Sequence, residues 1–219
     1  MAAQSSLSIN GPAGILEAAV RRAKPARAAA VVAHPHPLYG GTMHNPVVFH
    51  SERALHRLGL STLRFNFRGV GASAGPHDDG RGEVEDFAAA VAALRRLAPD
   101  VPLLAVGYSF GAACAIRYAA RDAEIAGVVA IGLATRVHPL PEIERLARPL
   151  AVVQGSADEL GPPAEVRARI ERLVPPGILH VIDGAPHLFP GRAAEVAAAV
   201  VAAARTLLDG GAKTAPPRS

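Results

Sequence analysis

One cysteine, Cys114, stands in 219 residues, tryptophan is absent and aromatic side chains are few. A lone cysteine excludes an intrachain disulfide and is mild evidence for a reducing compartment. Its place in an alanine-rich run just after Ser109 suggests a buried small side chain rather than a reactive thiol. The arginines lack interleaved aromatics, which argues against an RNA-stacking platform. No run of five or six like charges occurs, so the net charge of +4 reads as solubility rather than nucleic-acid binding. No stretch approaches the ~18 uninterrupted apolar residues of a membrane span. Met1 to Ser6 shows no basic segment leading into an apolar core, so no signal peptide is expected. These absences point to a cytoplasmic protein without nucleic-acid or membrane partners.

What is present is alternation. Short apolar runs such as Ala28 to Ala33, Val101 to Val106, Ile125 to Ile131 and Leu150 to Val153 suit strands buried on both faces. Between them lie helical patterns: Asn45-Pro46 opens one that Gly59 closes, and Val84, Phe87, Val91 and Leu94 mark another. Near the start, Leu7-Ser8-Ile9 and Ile15 to Val20 flank a turn cluster, which predicts an N-terminal β-hairpin. The expected fold is α/β: a mostly parallel, doubly wound sheet with helices on both faces. Residues 1–6 are expected to be disordered, 7–209 to form one domain, and 210–219 to form a flexible tail. The segment Gly132 to Arg148 has room for a small helix at most, hence for a minimal lid or none.

Chemistry concentrates at strand ends. Gly107-Tyr108-Ser109-Phe110-Gly111 sits between an apolar strand and an alanine-rich helix. That spacing suits a nucleophile at the tip of a sharp, strained turn, with glycines where side chains would collide. Asp158 follows the strand ending at Val153, and His187 follows the strand ending at Ile182. Serine needs a base to become a nucleophile, and an imidazole needs an acid to orient it, so Ser109, His187 and Asp158 form a candidate catalytic set. Glu159 is an alternative acid, while Asp183 reads as a strand-end cap. His180 falls within a strand, and His138, His50 and His56 read as surface or helix-face residues.

An oxyanion needs donors. The amide of Phe110 is one candidate. The other comes from His34-Pro35-His36-Pro37-Leu38, where the prolines have no N–H, leaving His36 or a residue from Leu38 onward; His36 is preferred. Leu38, Tyr39, Tyr108, Phe110, Leu133, Leu160 and Leu188 are candidate pocket residues by placement alone. His34-x-His36 with His44 could suggest a metal site, but prolines lock that loop and no carboxylate or further histidine follows at metal-like spacing, so no metal is expected. Gly69-x-Gly71-x-x-Ala74 matches a dinucleotide fingerprint formally, but Gly75 to Gly80 prolongs the loop where a helix should begin, so no cofactor is expected.

Three motifs together, His34 to Met43, Asn66-Phe67-Arg68-Gly69-Val70-Gly71 and Gly107 to Gly111, resemble a small subfamily of lidless bacterial α/β-hydrolases related to dienelactone hydrolases and short-chain carboxylesterases. The resemblance runs from about Ile9 to Leu208. It implies the α/β-hydrolase fold, the triad Ser109–Asp158–His187 and hydrolysis of small carboxylic esters. Thioester or amide hydrolysis by the same triad stays open, as does a noncatalytic binding protein on this fold, and the oligomer is a monomer or a homodimer. The resemblance carries no role for His44, where the family's residue is expected to be Asn or Asp.

Overall fold

The structure, a computed structural model, describes residues 4–212. Eight strands form one sheet: β1 (Ser5–Gly11), β2 (Gly14–Arg21), β3 (Ala28–Ala33), β4 (Leu60–Phe65), β5 (Leu103–Tyr108), β6 (Ile125–Ile131), β7 (Leu150–Gly155) and β8 (Ile178–Ile182). Their spatial order is β1-β2-β4-β3-β5-β6-β7-β8. The hairpin β1–β2 joins β4 antiparallel, and the remaining neighbours pair parallel. Central strands β3, β4, β5 and β7 are buried along their whole length, which is why β3, β5 and β7 read as apolar runs without alternation, whereas β4 also buries Ser61, Thr62 and Arg64.

Five helices cover the sheet: α1 (Pro46–Arg57), α2 (Arg81–Leu97), α3 (Phe110–Ala119), α4 (Pro163–Ile170) and α5 (Ala193–Ala212). On one face α2, α3 and α4 bury Phe87, Leu94, Ile116, Val166 and Ile170 with Phe65 and Val152. On the other, α1 and α5 bury Val48, Leu55, Val200 and Leu207 with Val32, Leu104 and Val129. Cys114 belongs to the first core and is fully buried, and burial pushes its thiol pKa up, so it is inert as a nucleophile.

The sequence boundaries need two corrections. Ser5 and Ser6, expected to be disordered, belong to β1 and pair with Val20 and Ala19. Gln4 accepts a hydrogen bond from Arg21 at 2.9 Å, so polar pairing extends even beyond the strand. At the other end α5 continues to Ala212, into the expected tail, because its alanine-rich helix carries through Gly210. The rest of the two expected disordered ends, residues 1–3 and 213–219, lies outside the described residues.

This topology fixes where chemistry can occur. After β3 the chain moves outward to β4, then crosses back to the other side of β3 to form β5. The carboxyl ends of β3 and β5 therefore open onto the crevice at the switch point, where an open α/β sheet binds ligands. The loop after β3 carries His34 to Gly41, and the turn after β5 carries Ser109.

The glycine-rich segment after β4 is a braced loop. Arg68 donates to both Asp86 oxygens at 2.8–2.9 Å and to the Gly82 carbonyl at 2.8 Å. Glu83 accepts from the amides of Asp78 and Gly80, so α2 starts at Arg81 with its first turn capped.

Candidate active site

Ser109 stands at the junction of β5 and α3 with φ 53° and ψ −111°, a conformation that non-glycine residues seldom adopt. The flanking glycines are required by close approach. A Cβ on Gly107 would lie 2.1 Å from the Gly111 carbonyl oxygen, and one on Gly111 would lie 2.6 Å from the His34 carbonyl oxygen. The turn lifts Oγ away from the sheet, where it meets His187 Nε2 at 2.9 Å.

His187 is held from three directions. Its Nδ1 lies 3.0 and 2.9 Å from the two Asp158 oxygens. Its carbonyl accepts from the Tyr108 hydroxyl at 3.0 Å. The turn at Gly132, with φ 55°, brings that glycine against the ring, and a Cβ there would lie 3.4 Å from His187 Cε1. A carboxylate only accepts, so Asp158 assigns the proton to Nδ1 and leaves Nε2 as an acceptor for the Ser109 hydroxyl. Both Asp158 and His187 are buried.

Asp158 is saturated with donors. Its Oδ1 receives the amides of Leu160 and Gly161 at 2.9 and 3.1 Å. Its Oδ2 receives Gln154 Nε2 at 2.7 Å. Glu159, the alternative acid, has an exposed side chain, and Asp183 is exposed and accepts from Ser156 Oγ. The structure thus brings together Ser109, His187 and Asp158, with neither alternative acid in the chain of bonds.

Gln154 escaped the reading of the sequence. It is fully buried at the end of β7, its Oε1 accepts the Leu133 amide at 2.8 Å, and its Nε2 also donates to the Gly161 carbonyl at 2.7 Å. One side chain thus ties the loops after β6 and β7 to the acid. The available signal was a polar residue closing an otherwise apolar strand, four positions before Asp158. Gln154→Leu keeps the volume and removes these bonds. Two buried backbone groups and one carboxylate oxygen then lose partners, so unfolding stability is expected to fall by about 2 kcal/mol. The turnover number is expected to fall about ten- to a hundredfold through misplacement of Asp158, with KM much less affected. Urea titration and steady-state kinetics check the two effects.

The loop after β3 arranges its amides in a telling way. His36 Nδ1 accepts the Leu38 amide, and the His36 carbonyl accepts those of Tyr39 and Gly41. The amides of His36 and Phe110 have no hydrogen-bond partner among the described residues. His34 is a structural residue: its Nε2 accepts the Phe67 amide at 3.0 Å and its Nδ1 faces the Pro35 carbonyl at 2.6 Å. Burial lowers its pKa to about 4, so it stays neutral and both ring nitrogens are committed.

Beside Ser109 lies a cavity of about 460 Å³. Tyr39, Tyr108, Leu160 and Leu188 line it, as do His36 and Asn45. Leu38, Leu133 and the Phe110 ring do not. Leu38 projects into solvent, Leu133 is drawn into the core as its amide bonds Gln154, and the Phe110 ring packs beneath the loop against Phe67. The larger correction concerns His138, read as a surface or helix-face residue. The turn at Gly132 swings Ala134 to His138 back over the site, so Ala134, Val137 and His138 form one wall. His44 lies elsewhere, in a recess beside Gln4 and Glu17 under the hairpin, with Nδ1 3.5 Å from Arg64. Among the described residues no helix is long and apolar enough to cross a membrane.

Comparison with known proteins agrees with this architecture. The family model for the alpha/beta hydrolase fold matches residues 38–148. An uncharacterized protein of Rickettsia prowazekii is 35% identical over 201 residues, covering 87% of this chain and 84% of that protein. An alpha-beta serine hydrolase homologue from Coxiella burnetii is 36% identical, covers 90% of this chain and 96% of its own, and superposes with a TM-score of 0.83. A serine hydrolase without a lid from Xanthomonas campestris is 33% identical, with coverage of 98% and 97% and a TM-score of 0.85. By sequence, topology and the layout of its strand-end loops, this chain belongs to the α/β-hydrolase family.

Proposed function

We propose that the protein is a serine hydrolase that cleaves small carboxylic esters through an acyl-enzyme. The observation that carries this reading is the unbroken chain Ser109 Oγ–His187 Nε2, His187 Nδ1–Asp158, at the edge of an open, largely apolar cavity.

The steps follow from the proton positions. Ser109 Oγ attacks the ester carbonyl carbon as its proton passes to His187 Nε2. Asp158 stabilises the imidazolium so formed. The carbonyl oxygen becomes an oxyanion, and the amides of Phe110 and His36 donate to it. Collapse breaks the bond to the alcohol oxygen, which takes the proton from His187 and departs. Water then attacks the acyl-enzyme by the same route and releases the acid and free Ser109. The substrate is a small molecule, and no step needs a metal or a cofactor.

The test is hydrolysis of p-nitrophenyl esters from acetate to decanoate. Turnover of the shorter esters is expected at least about 10⁶-fold above the uncatalysed rate, declining toward decanoate as the acyl chain outgrows the cavity. A folded protein that hydrolyses no member of the series contradicts the proposal.

A further inference from the structure

One wall of the cavity has a composition that ester hydrolysis alone does not require. His36 and His138 come from different loops, yet their rings lie nearly parallel, 14° apart, with centroids 6.5 Å apart. The buried Phe110 ring packs against both, at 4.8 and 5.9 Å. At the rim stand Tyr39, 87% exposed, and Leu188, 72% exposed. Among the described residues no Lys, Arg, Asp or Glu side chain lines the cavity. Arg117 is near enough to His138 to disfavour its protonation, but it does not line the cavity, and its guanidinium donates to the Pro139 carbonyl and faces Glu142.

We infer that the site selects esters bearing a flat, uncharged aromatic group, which packs against the His36 and His138 rings. Flat rings attract flat rings through offset or edge contacts at centroid separations of about 4.5–7 Å, which a puckered ring of the same size cannot match. A carboxylate on the substrate would lose water in this cavity and find no cation. The imidazoles do not supply one. Burial lowers the pKa of His138 to about 4 and holds that of His36 below its ordinary value, so both are neutral at pH 7.

This inference rests on the ester-hydrolase reading, and the aromatic group can belong to the acyl or to the alcohol part. Two arms of one experiment separate these. The acyl arm compares ethyl benzoate with ethyl cyclohexanecarboxylate, and the alcohol arm compares benzyl acetate with cyclohexylmethyl acetate. Each adds the aromatic ester carrying a para carboxylate. Titration of released acid gives kcat/KM for the wild type, His138→Leu and His138→Phe. His138 is the position varied because the backbone of His36 belongs to the proposed oxyanion hole. In at least one arm the flat-over-puckered ratio is expected to fall about fivefold in His138→Leu and to be kept in His138→Phe. The carboxylate-bearing ester is expected to be at least about tenfold slower than its parent in the wild type. Equal ratios in wild type and His138→Leu in both arms overturn the inference while leaving the ester reading intact. So do carboxylate esters cleaved as fast as their parents, a comparison that needs only the wild type. If the folded wild type cleaves no ester, the ester reading itself fails, and this inference with it.

Discussion

Ser109→Ala is expected to lower kcat by about 10⁴–10⁶-fold while leaving the protein folded. The size of the loss follows from the absence of a substitute. The hydroxyl of Tyr108, which also lines the cavity, belongs to a buried side chain and donates to the His187 carbonyl, so it cannot replace Oγ. The fold should survive because, among the described residues, the Ser109 hydroxyl bonds only to His187. Serine and alanine both carry a Cβ, so the strain of φ 53° is unchanged by the substitution. Residual activity above background measures what the cavity and the amides of Phe110 and His36 contribute on their own. Thermal unfolding of the variant near the wild-type temperature is part of the expectation, since a large loss of stability would leave the kinetic result uninterpretable.

Asp158→Asn is expected to cost about 10³–10⁴-fold in kcat, more than a lost charge would suggest, and to destabilise the protein as well. Every neighbour of the carboxylate is a donor: the Leu160 and Gly161 amides on one oxygen, Gln154 Nε2 on the other, and His187 Nδ1 between them. An asparagine can satisfy the two amides only by directing its own NH₂ at Gln154 and His187. Gln154 cannot turn to accept it, because its Oε1 already receives the Leu133 amide and its Nε2 donates to Gly161. His187 must then present a bare Nδ1, which moves its proton to Nε2. That nitrogen now donates to Ser109 and can no longer take its proton. A wrong tautomer predicts that kcat falls with KM nearly unchanged, and that activity recovers partly at high pH, where hydroxide can remove the Ser109 proton. The unfolding midpoint in urea should fall too, by the equivalent of about 1–3 kcal/mol for a buried donor set against a donor.

How far the sequence could be read depended on how local each signal is. Strands β3, β5, β6 and β7 and the turn at Ser109 are encoded within about ten residues each, as apolar runs and glycine spacing, and these were legible. The order Ser109, Asp158, His187 along the chain was legible for the same reason, because each follows its own strand. Gln154 was not, since its partners at Leu133 and Gly161 belong to other loops and nothing nearby shows that they converge. His138 was misread because its fate is decided at Gly132, six positions earlier, where a positive φ turns the segment over the cavity rather than into solvent. Leu133 illustrates the reverse. A leucine after a strand can point to pocket or core with equal ease, and here a hydrogen bond from its own amide to Gln154 draws it inward. The limits of β1 and α5 were missed because Ser5 and Gly210 have weak intrinsic preferences, which pairing with β2 and continuation of the helix override.

The most direct test of the central claim is covalent labelling with a fluorophosphonate probe, followed by digestion and mass mapping of the adduct. Phosphorus accepts Ser109 Oγ and loses fluoride only where a base takes the hydroxyl proton, so the reaction reads the activated nucleophile without assuming any substrate. One adduct per chain, on Ser109, is predicted for the wild type, with none on Ser109→Ala and markedly slower labelling of His187→Ala. A folded wild-type protein that remains unlabelled, or one labelled at the same rate after Ser109→Ala, would contradict it.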